Sequence, residues 1–262
     1  MRQLLFLGTG HGMPVVSSCS SILIDDQENN LLLDVGGGHD ILVNFKKAKY
    51  EPTAIKNIFI THYDSDHILG IIPLIRSFHR WAEPQKRNIF CSQEVKNAID
   101  SLFKYVAKKH YDHVRKHLNF IIIKDRETRK VNDWEITFFD VKSDKSPQMG
   151  CLIRFHDGKK LAFLGDEPLR DHYIDIVKDC DVLIHNAFCL DAQKDTFKPH
   201  EKNHNTAKEA AMNATKLNAK NLILLHMEDK TLKTRKKEYL KEVKKNFAGK
   251  AFIPIDLDLY EF

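Results

Sequence analysis

No stretch of the 262 residues approaches the ~20 consecutive apolar positions that a bilayer-spanning helix needs. A helical anchor and a membrane partner are therefore not expected. Leu4 to Leu7 is too short for the apolar core of a secretion signal and runs into Gly8-Thr9-Gly10, so it reads as a first strand. Cysteine is sparse and odd in number: Cys19, Cys91, Cys151, Cys180 and Cys189 are scattered, with no C-x-x-C. That pattern argues against a disulfide framework and for reduced thiols, each a small buried hydrophobe, in a cytoplasmic protein. No internal repeat, low-complexity tract or linker breaks the chain, so a single domain over 1–262 is the simplest organisation. Glycines cluster at Gly8–Gly12 and Gly36–Gly38, but neither cluster has the G-x-G-x-x-G or Walker spacing of a phosphate cradle. Close backbone approach beneath a site is the better reading.

The chain does hold 42% hydrophobic and 29% charged residues, enough for a real core, and a net charge of +5. The positive balance suits a small anionic substrate without demonstrating one. Lysine and arginine crowd the segment 230–250. There Leu232, Tyr239, Leu240, Val243 and Phe247 mark one apolar face, as on a solvated helix. Ser20–Asp25 and Asn30–Asp34 read as a hairpin, and Phe120–Lys124 and Trp134–Val141 as strands. Helices are expected over Ile68–Ala82, over Ser92–His117 with Ser92 as N-cap, and over Thr206–Leu217. His110, His113 and His117 recur on one face of the second helix. A polar surface stripe is the plainer reading of them, and a substrate-facing wall or an extra metal site the sharper one.

The stretch that organises the rest is Asn57 to His67. An apolar run ends at Thr61, and His62, Asp64, Asp66 and His67 follow within six residues. A rigid strand end that throws imidazoles and carboxylates into a loop can aim several donors at one cation. Three further apolar runs end the same way: Leu161–Gly165 before Asp166, Val182–Ile184 before His185, and Leu222–Leu225 before His226. Ordinary strand terminators are not placed so regularly.

His62-x-Asp64-x-Asp66-His67 resembles the H-x-H-x-D-H signature of the metallo-β-lactamase-fold hydrolases, with Asp64 standing for the second histidine. Asp166 in F-L-G-D matches their bridging aspartate and His226 in L-L-H their last ligand. Within that superfamily the chain is most similar to the RNase Z-like phosphodiesterases: His185-Asn186-Ala187-Phe188 matches H-E-A-T in part, and His204-Asn205-Thr206-Ala207 matches H-S-T-A. The likeness implies an α/β (α+β) fold, a four-layer αββα sandwich. It implies metal ligands His62, Asp64, Asp66, His67, Asp166 and His226, with Asp34 holding the metal loop through hydrogen bonds. It also departs from the family. Ser143 falls where a third ligand histidine is expected, and Asn186 where a glutamate is. Asp144, His185, His200 or His204 remains open as the replacement ligand. The altered ligand set favours one or two divalent ions, Zn, Mn or Fe, two being the preferred count.

The implied activity is metal-dependent hydrolysis of a small phosphodiester or cyclic nucleotide. Two ions would lower a bound water from 15.7 toward ~7 and clamp both oxygens of the ester. Asp66 would orient the nucleophile and His185 or His204 protonate the leaving group. Lys142, Lys145 and His204 are candidate anion contacts. tRNA is not the expected partner, because only residues 144–165 separate Ser143 from Asp166 and leave no room for the tRNA-gripping arm of RNase Z. Two other readings stay open: a degenerate member that binds a ligand or partner, and a hydrolase of another ester, thioester, lactam or lactone. Oligomeric state is open as well, a homodimer being one option.

Overall fold

The computed structural model describes residues 2–81, 83 and 85–262. They form two compact units, one running to Ile123 and resuming over Ile255–Phe262, the other spanning Lys124–Pro254.

The first unit contains β1 (Gln3–Gly8), β2 (Ser21–Asp25), β3 (Asn30–Leu33), α1 (Asp40–Lys47), β4 (Asn57–Phe59), α2 (Ser65–Ile68), α3 (Ile71–Trp81), β5 (Arg87–Cys91), α4 (Gln93–Tyr105), α5 (Lys108–Val114) and β6 (Leu118–Ile122). The expected hairpin is present: β2 pairs antiparallel with β3, Ile22 opposite Leu33. From β3 to β6 the strands are parallel. Parallel strands bring their carboxyl ends to one edge, which is where open α/β sheets bind ligands. Asp34, after β3, and the loop after β4 therefore leave the sheet at the same edge. The apolar side chains of β3–β5 and of α1, α3 and α4 pack into one core that includes Leu32, Phe45, Ile58, Leu74, Ile89 and Phe103.

The second unit contains β7 (Thr128–Val131), β8 (Trp134–Asp140), β9 (Met149–Arg154), β10 (Lys160–Phe163), α6 (Ile174–Val177), β11 (Val182–Asn186), α7 (Lys194–Phe197), α8 (Ala207–Lys216), β12 (Asn221–Leu225), α9 (Arg235–Val243) and β13 (Lys250–Phe252). The last strand, β14 (Leu259–Glu261), returns to the first unit. The two sheets run β14-β1-β2-β3-β4-β5-β6 and β13-β12-β11-β10-β9-β8-β7. From β10 to β13 the second sheet is parallel, so Asp166, the end of β11 and His226 leave it at one edge. α8 packs Ala207, Ala210, Ala211 and Ala214 inward, small residues that let the helix lie close to β11 and β12.

Several boundaries differ from expectation. The helix expected over Ile68–Ala82 is two, α2 and α3, with Gly70 between them. A Cβ at Gly70 would meet the Val35 carbonyl oxygen at 1.8 Å, so the chain can turn there only without a side chain. Ala82 lies outside the described residues. The helix expected over Ser92–His117 stops at Tyr105. Ser92 does cap it, accepting from the Val95 amide at 3.3 Å. Ala107 then takes a left-handed conformation (φ 57°) that no α-helix continues through, and α5 starts afresh. Lys230–Lys250 narrows to α9, with Tyr239 and Val243 buried as its face requires. All five cysteines are free thiols, four of them buried. Among the described residues no helix is long and apolar enough to cross a membrane.

Candidate functional site

In the first unit the loop after β4 is tied down from behind by Asp34. Its carboxylate accepts from the Thr61 amide (2.8 Å) and the Thr61 hydroxyl (2.9 Å), and lies 2.8 Å from His67 Nδ1. Asp34 is thus the loop-holding residue that the resemblance implies. Its φ of 54° is a conformation that Asp and Asn tolerate better than most side chains do. With Nδ1 donating to Asp34, His67 offers Nε2, which stands 3.2 Å from Asp66 Oδ2. His62 is arranged similarly: Nδ1 lies 2.9 Å from Thr61 Oγ1, and Nε2 3.6 Å from Asp64 Oδ2. The two rings are 4.1 Å apart. Both histidines are buried, whereas the Asp64 side chain is 46% exposed. Burial would lower the pKa of His67, but the charges of Asp66 and Asp34 outweigh it and hold the imidazole well above its ordinary value. Two carboxylates around one imidazolium are a net negative pocket, which a divalent cation satisfies better than a proton does. Both glycine clusters reach this loop. A Cβ on Gly12 would lie 3.4 Å from Asp66 Oδ2, and one on Gly37 3.6 Å from Asp66 Cα.

In the second unit Asp166, His204 and His226 bring one ligand atom each to within 4.8 Å of one another. His226 Nε2 is 3.7 Å from Asp166 Oδ2, and the His204 and His226 rings are 4.8 Å apart. His204 Nδ1 donates to the Asp166 carbonyl (2.8 Å), which leaves Nε2 as its lone-pair nitrogen. Burial, then the neighbouring His226, pushes His204 down to about 3, so the ring is neutral and fit to be a ligand. His185 lies outside this group. It is fully buried, burial pushes it down to about 3, and its Nε2 accepts from the side-chain amides of Asn205 (3.3 Å) and Asn213 (3.1 Å). Asn186 joins the two segments: its amide donates to the Glu167 carbonyl and its oxygen accepts from the Asn205 amide.

Of the open replacements for the missing ligand, Asp144 is exposed and paired with Arg170 at 2.6 Å, and His200 is exposed and paired with Glu209 at 2.9 Å. His204 alone among the four sits with Asp166 and His226. Lys142 pairs with Asp140, and Lys145 Nζ is 3.9 Å from Glu167 Oε1. Glu167 is the residue that sequence reasoning missed. Fully buried, it accepts from Ser143, the position of the absent histidine, at 3.0 Å, and burial raises its pKa. A second acid directly after Asp166 was the available signal.

The fold matches that of the metallo-β-lactamase proteins. The YhfI protein of Bacillus subtilis, of that fold, superposes with a TM-score of 0.79 over 100% of both chains at 21% identity. A diphosphatase of the PhnP family superposes with a TM-score of 0.76 over 100% of this chain and 98% of its own, at 18% identity. The sequence matches the family described as β-lactamase superfamily domain over residues 29–227, and the chain belongs to that family. Ribonuclease Z of Bacillus cereus strain G9842 is 26% identical over 304 positions, covering 94% of this chain and 95% of its own length. The family is one of metallo-hydrolases, and the ribonuclease Z relatives support an RNase Z-like member of it.

Proposed function

We propose that the chain is a divalent-metal-dependent hydrolase of small phosphodiesters, cyclic nucleotides included. One observation carries the reading: His67 and His204 each have Nδ1 fixed by an oxygen, of Asp34 and of the Asp166 carbonyl, and so hold Nε2 ready as a donor. The candidate ligands on the first unit are His62, Asp64, Asp66 and His67; those on the second unit, taken by itself, are Asp166, His204 and His226. This mixture of imidazole and carboxylate suits Zn²⁺, Mn²⁺ or Fe²⁺. Bound there, a divalent ion supplies Lewis-acid polarisation of a phosphoryl oxygen and a nucleophile at neutral pH.

The protein's own groups position and carry protons. Asp66, with a side chain 12% exposed, is the carboxylate that can take a proton from an attacking water. His204 enters neutral and presents a lone pair, so it takes up a proton before it can hand one to a leaving oxygen. His185 acts at a distance: its Nε2 anchors the Asn205 amide next to His204, which makes it a positioning residue.

The small-substrate reading draws on length. The match runs over 304 positions whereas this chain has 262 residues, so the ribonuclease Z relative carries segments that this chain lacks. Residues 144–165, where the gripping arm would fall, are taken up by β9, β10 and their short connections. The test is turnover of bis-p-nitrophenyl phosphate and 2′,3′-cyclic nucleotides by chelator-stripped protein resupplied with Mn²⁺, Zn²⁺ or Fe²⁺. Metal-dependent turnover of these, with precursor tRNA left intact, is the expected result. Efficient cleavage of the tRNA, or turnover only of thioesters or lactones, would overturn the substrate assignment. A H204Q variant separates ligand from proton carrier: loss of metal marks the first, and loss of turnover with metal retained marks the second.

A further inference from the structure

The loop between β8 and β9 of the second unit carries a cation whose donors are unspent. Lys142 is paired with Asp140 at 2.8 Å, and Asp144 of the same loop with Arg170 at 2.6 Å. Lys145 differs. Its Nζ stands 3.9 Å from Glu167 Oε1, beyond hydrogen-bond distance, on a side chain that is partly exposed. Local hydrogen bonds fix where that ammonium starts. The Lys145 amide donates to Ser143 Oγ (3.1 Å), and the Ser143 hydroxyl donates in turn to Glu167 Oε1 (3.0 Å). Glu167 directly follows Asp166 and is fully buried. Its carbonyl accepts from the Asn186 amide (2.7 Å), and the Asn186 oxygen accepts from the backbone amide of Asn205 (2.8 Å), next to His204. Glu167 Oε2 has no hydrogen-bond partner among the described residues. A buried carboxylate in that state is costly unless a cation stands by it. Besides burial and His226, the charge of Lys145 lowers the His204 imidazole, so the ammonium is also within electrostatic reach of that ring.

We propose that Lys145, positioned by Glu167, is the residue of the second unit that recognises the substrate's charge: its ammonium takes a non-bridging oxygen of the phosphoryl group. The proposal rests on the hydrolytic reading above and adds a selectivity to it, for anionic phosphoesters over neutral esters, thioesters and lactones. The buried carboxylate holds the ammonium in place without consuming its N–H donors, which leaves them for the anion. Hydrogen bonds of this charge-assisted kind are roughly twice as strong as neutral ones. Glu167 itself touches no reacting atom and is a positioning residue.

The experiment uses the full chain, metal-loaded, as native protein and as K145M, K145R and E167Q, with bound metal counted on the same samples. Turnover is measured on bis-p-nitrophenyl phosphate and on the neutral ester p-nitrophenyl acetate. K145M is expected to lose about 10–100-fold in kcat/KM on the phosphodiester, chiefly through KM, as the loss of a hydrogen bond to a charged group does. Its preference for the phosphodiester over the acetate should fall by about tenfold or more on the same grounds. K145R should regain most of that preference, and E167Q should lie between native protein and K145M at native metal content. A second arm needs no turnover: inorganic phosphate, titrated by calorimetry, should bind K145M about tenfold more weakly than native protein. Phosphate that binds native protein and K145M equally, or binds neither, would overturn the role of Lys145, as would equal losses on both esters. Native E167Q behaviour in both arms would remove Glu167 from its positioning role. Failure of native protein to turn over either ester, with phosphate binding still dependent on Lys145, would instead count against the hydrolytic reading and leave the anion site standing.

Discussion

Asp34→Asn isolates what the buried carboxylate does for the metal loop. The swap keeps shape and keeps a residue that tolerates φ of 54°, so backbone strain is not added. It removes the charge that accepts from Thr61 and His67 at 2.8 Å each. Losing such a partner of a metal-bound histidine typically costs 10–100-fold in metal affinity, about 1.4–2.7 kcal/mol. A second effect opposes the first. The Asp34 charge also helps hold His67 protonated, so without it the proton competes less well for Nε2. Metal binding expels that proton, so the affinity of the native protein rises as pH rises through the raised pKa of His67. The deficit of the variant is therefore widest at alkaline pH, where proton competition has vanished and only lost orientation remains. The same pKa fixes the sign for the metal-free protein. A histidine raised on folding contributes stability below its unfolded value of about 6.5, and that contribution is lost as pH climbs through the folded value. Competitive chelator titrations from pH 6 to 9, with circular dichroism to confirm folding, provide the assay. A folded D34N protein with native metal affinity across that range would refute the reasoning.

Three further outcomes are expected. Asp64→His restores an imidazole beside His62 and should shift selectivity toward Zn²⁺ over Mn²⁺ by about tenfold; unchanged selectivity in competition assays means that Asp64 is not a ligand. Thr206 caps α8 by accepting from the Glu209 amide at 3.3 Å, within a capping box. Thr206→Ala should cost about 1 kcal/mol in urea unfolding, and no change would show that the cap adds nothing. His185→Ala strands the amides of Asn205 and Asn213. It should cost about 1–3 kcal/mol of stability while metal content stays native, and metal loss would place His185 among the ligands instead.

Strand-end chemistry was legible because parallel strands impose it. Apolar runs that stop at Asp166 and His226 emerge at one sheet edge, and their donors meet there. The helix expected from Thr206 is α8, and its start is set locally by the capping box of Thr206 and Glu209, with no distant contact needed. What the sequence concealed was set by distant contacts. Nothing near Ala107 marks a helix break, which arises where α5 swings onto α3. β7 has the polar sequence Thr128-Arg129-Lys130-Val131 and is a strand only because β8 pairs with it. Glu167 stands out only through contacts distant in sequence, Ser143 binding its side chain and Asn186 its backbone. Asp144 and His200 were plausible ligands by type, and each is claimed by a surface partner.

The most direct measurement is bound metal per chain, read by mass spectrometry on purified native protein and on Asp166→Ala, with bis-p-nitrophenyl phosphate turnover taken on the same samples. Native protein should carry one or two divalent ions and turn over the ester, and D166A should lose metal and turnover together. Metal-free native protein that cannot be reloaded, or a D166A variant that keeps both, would contradict the account.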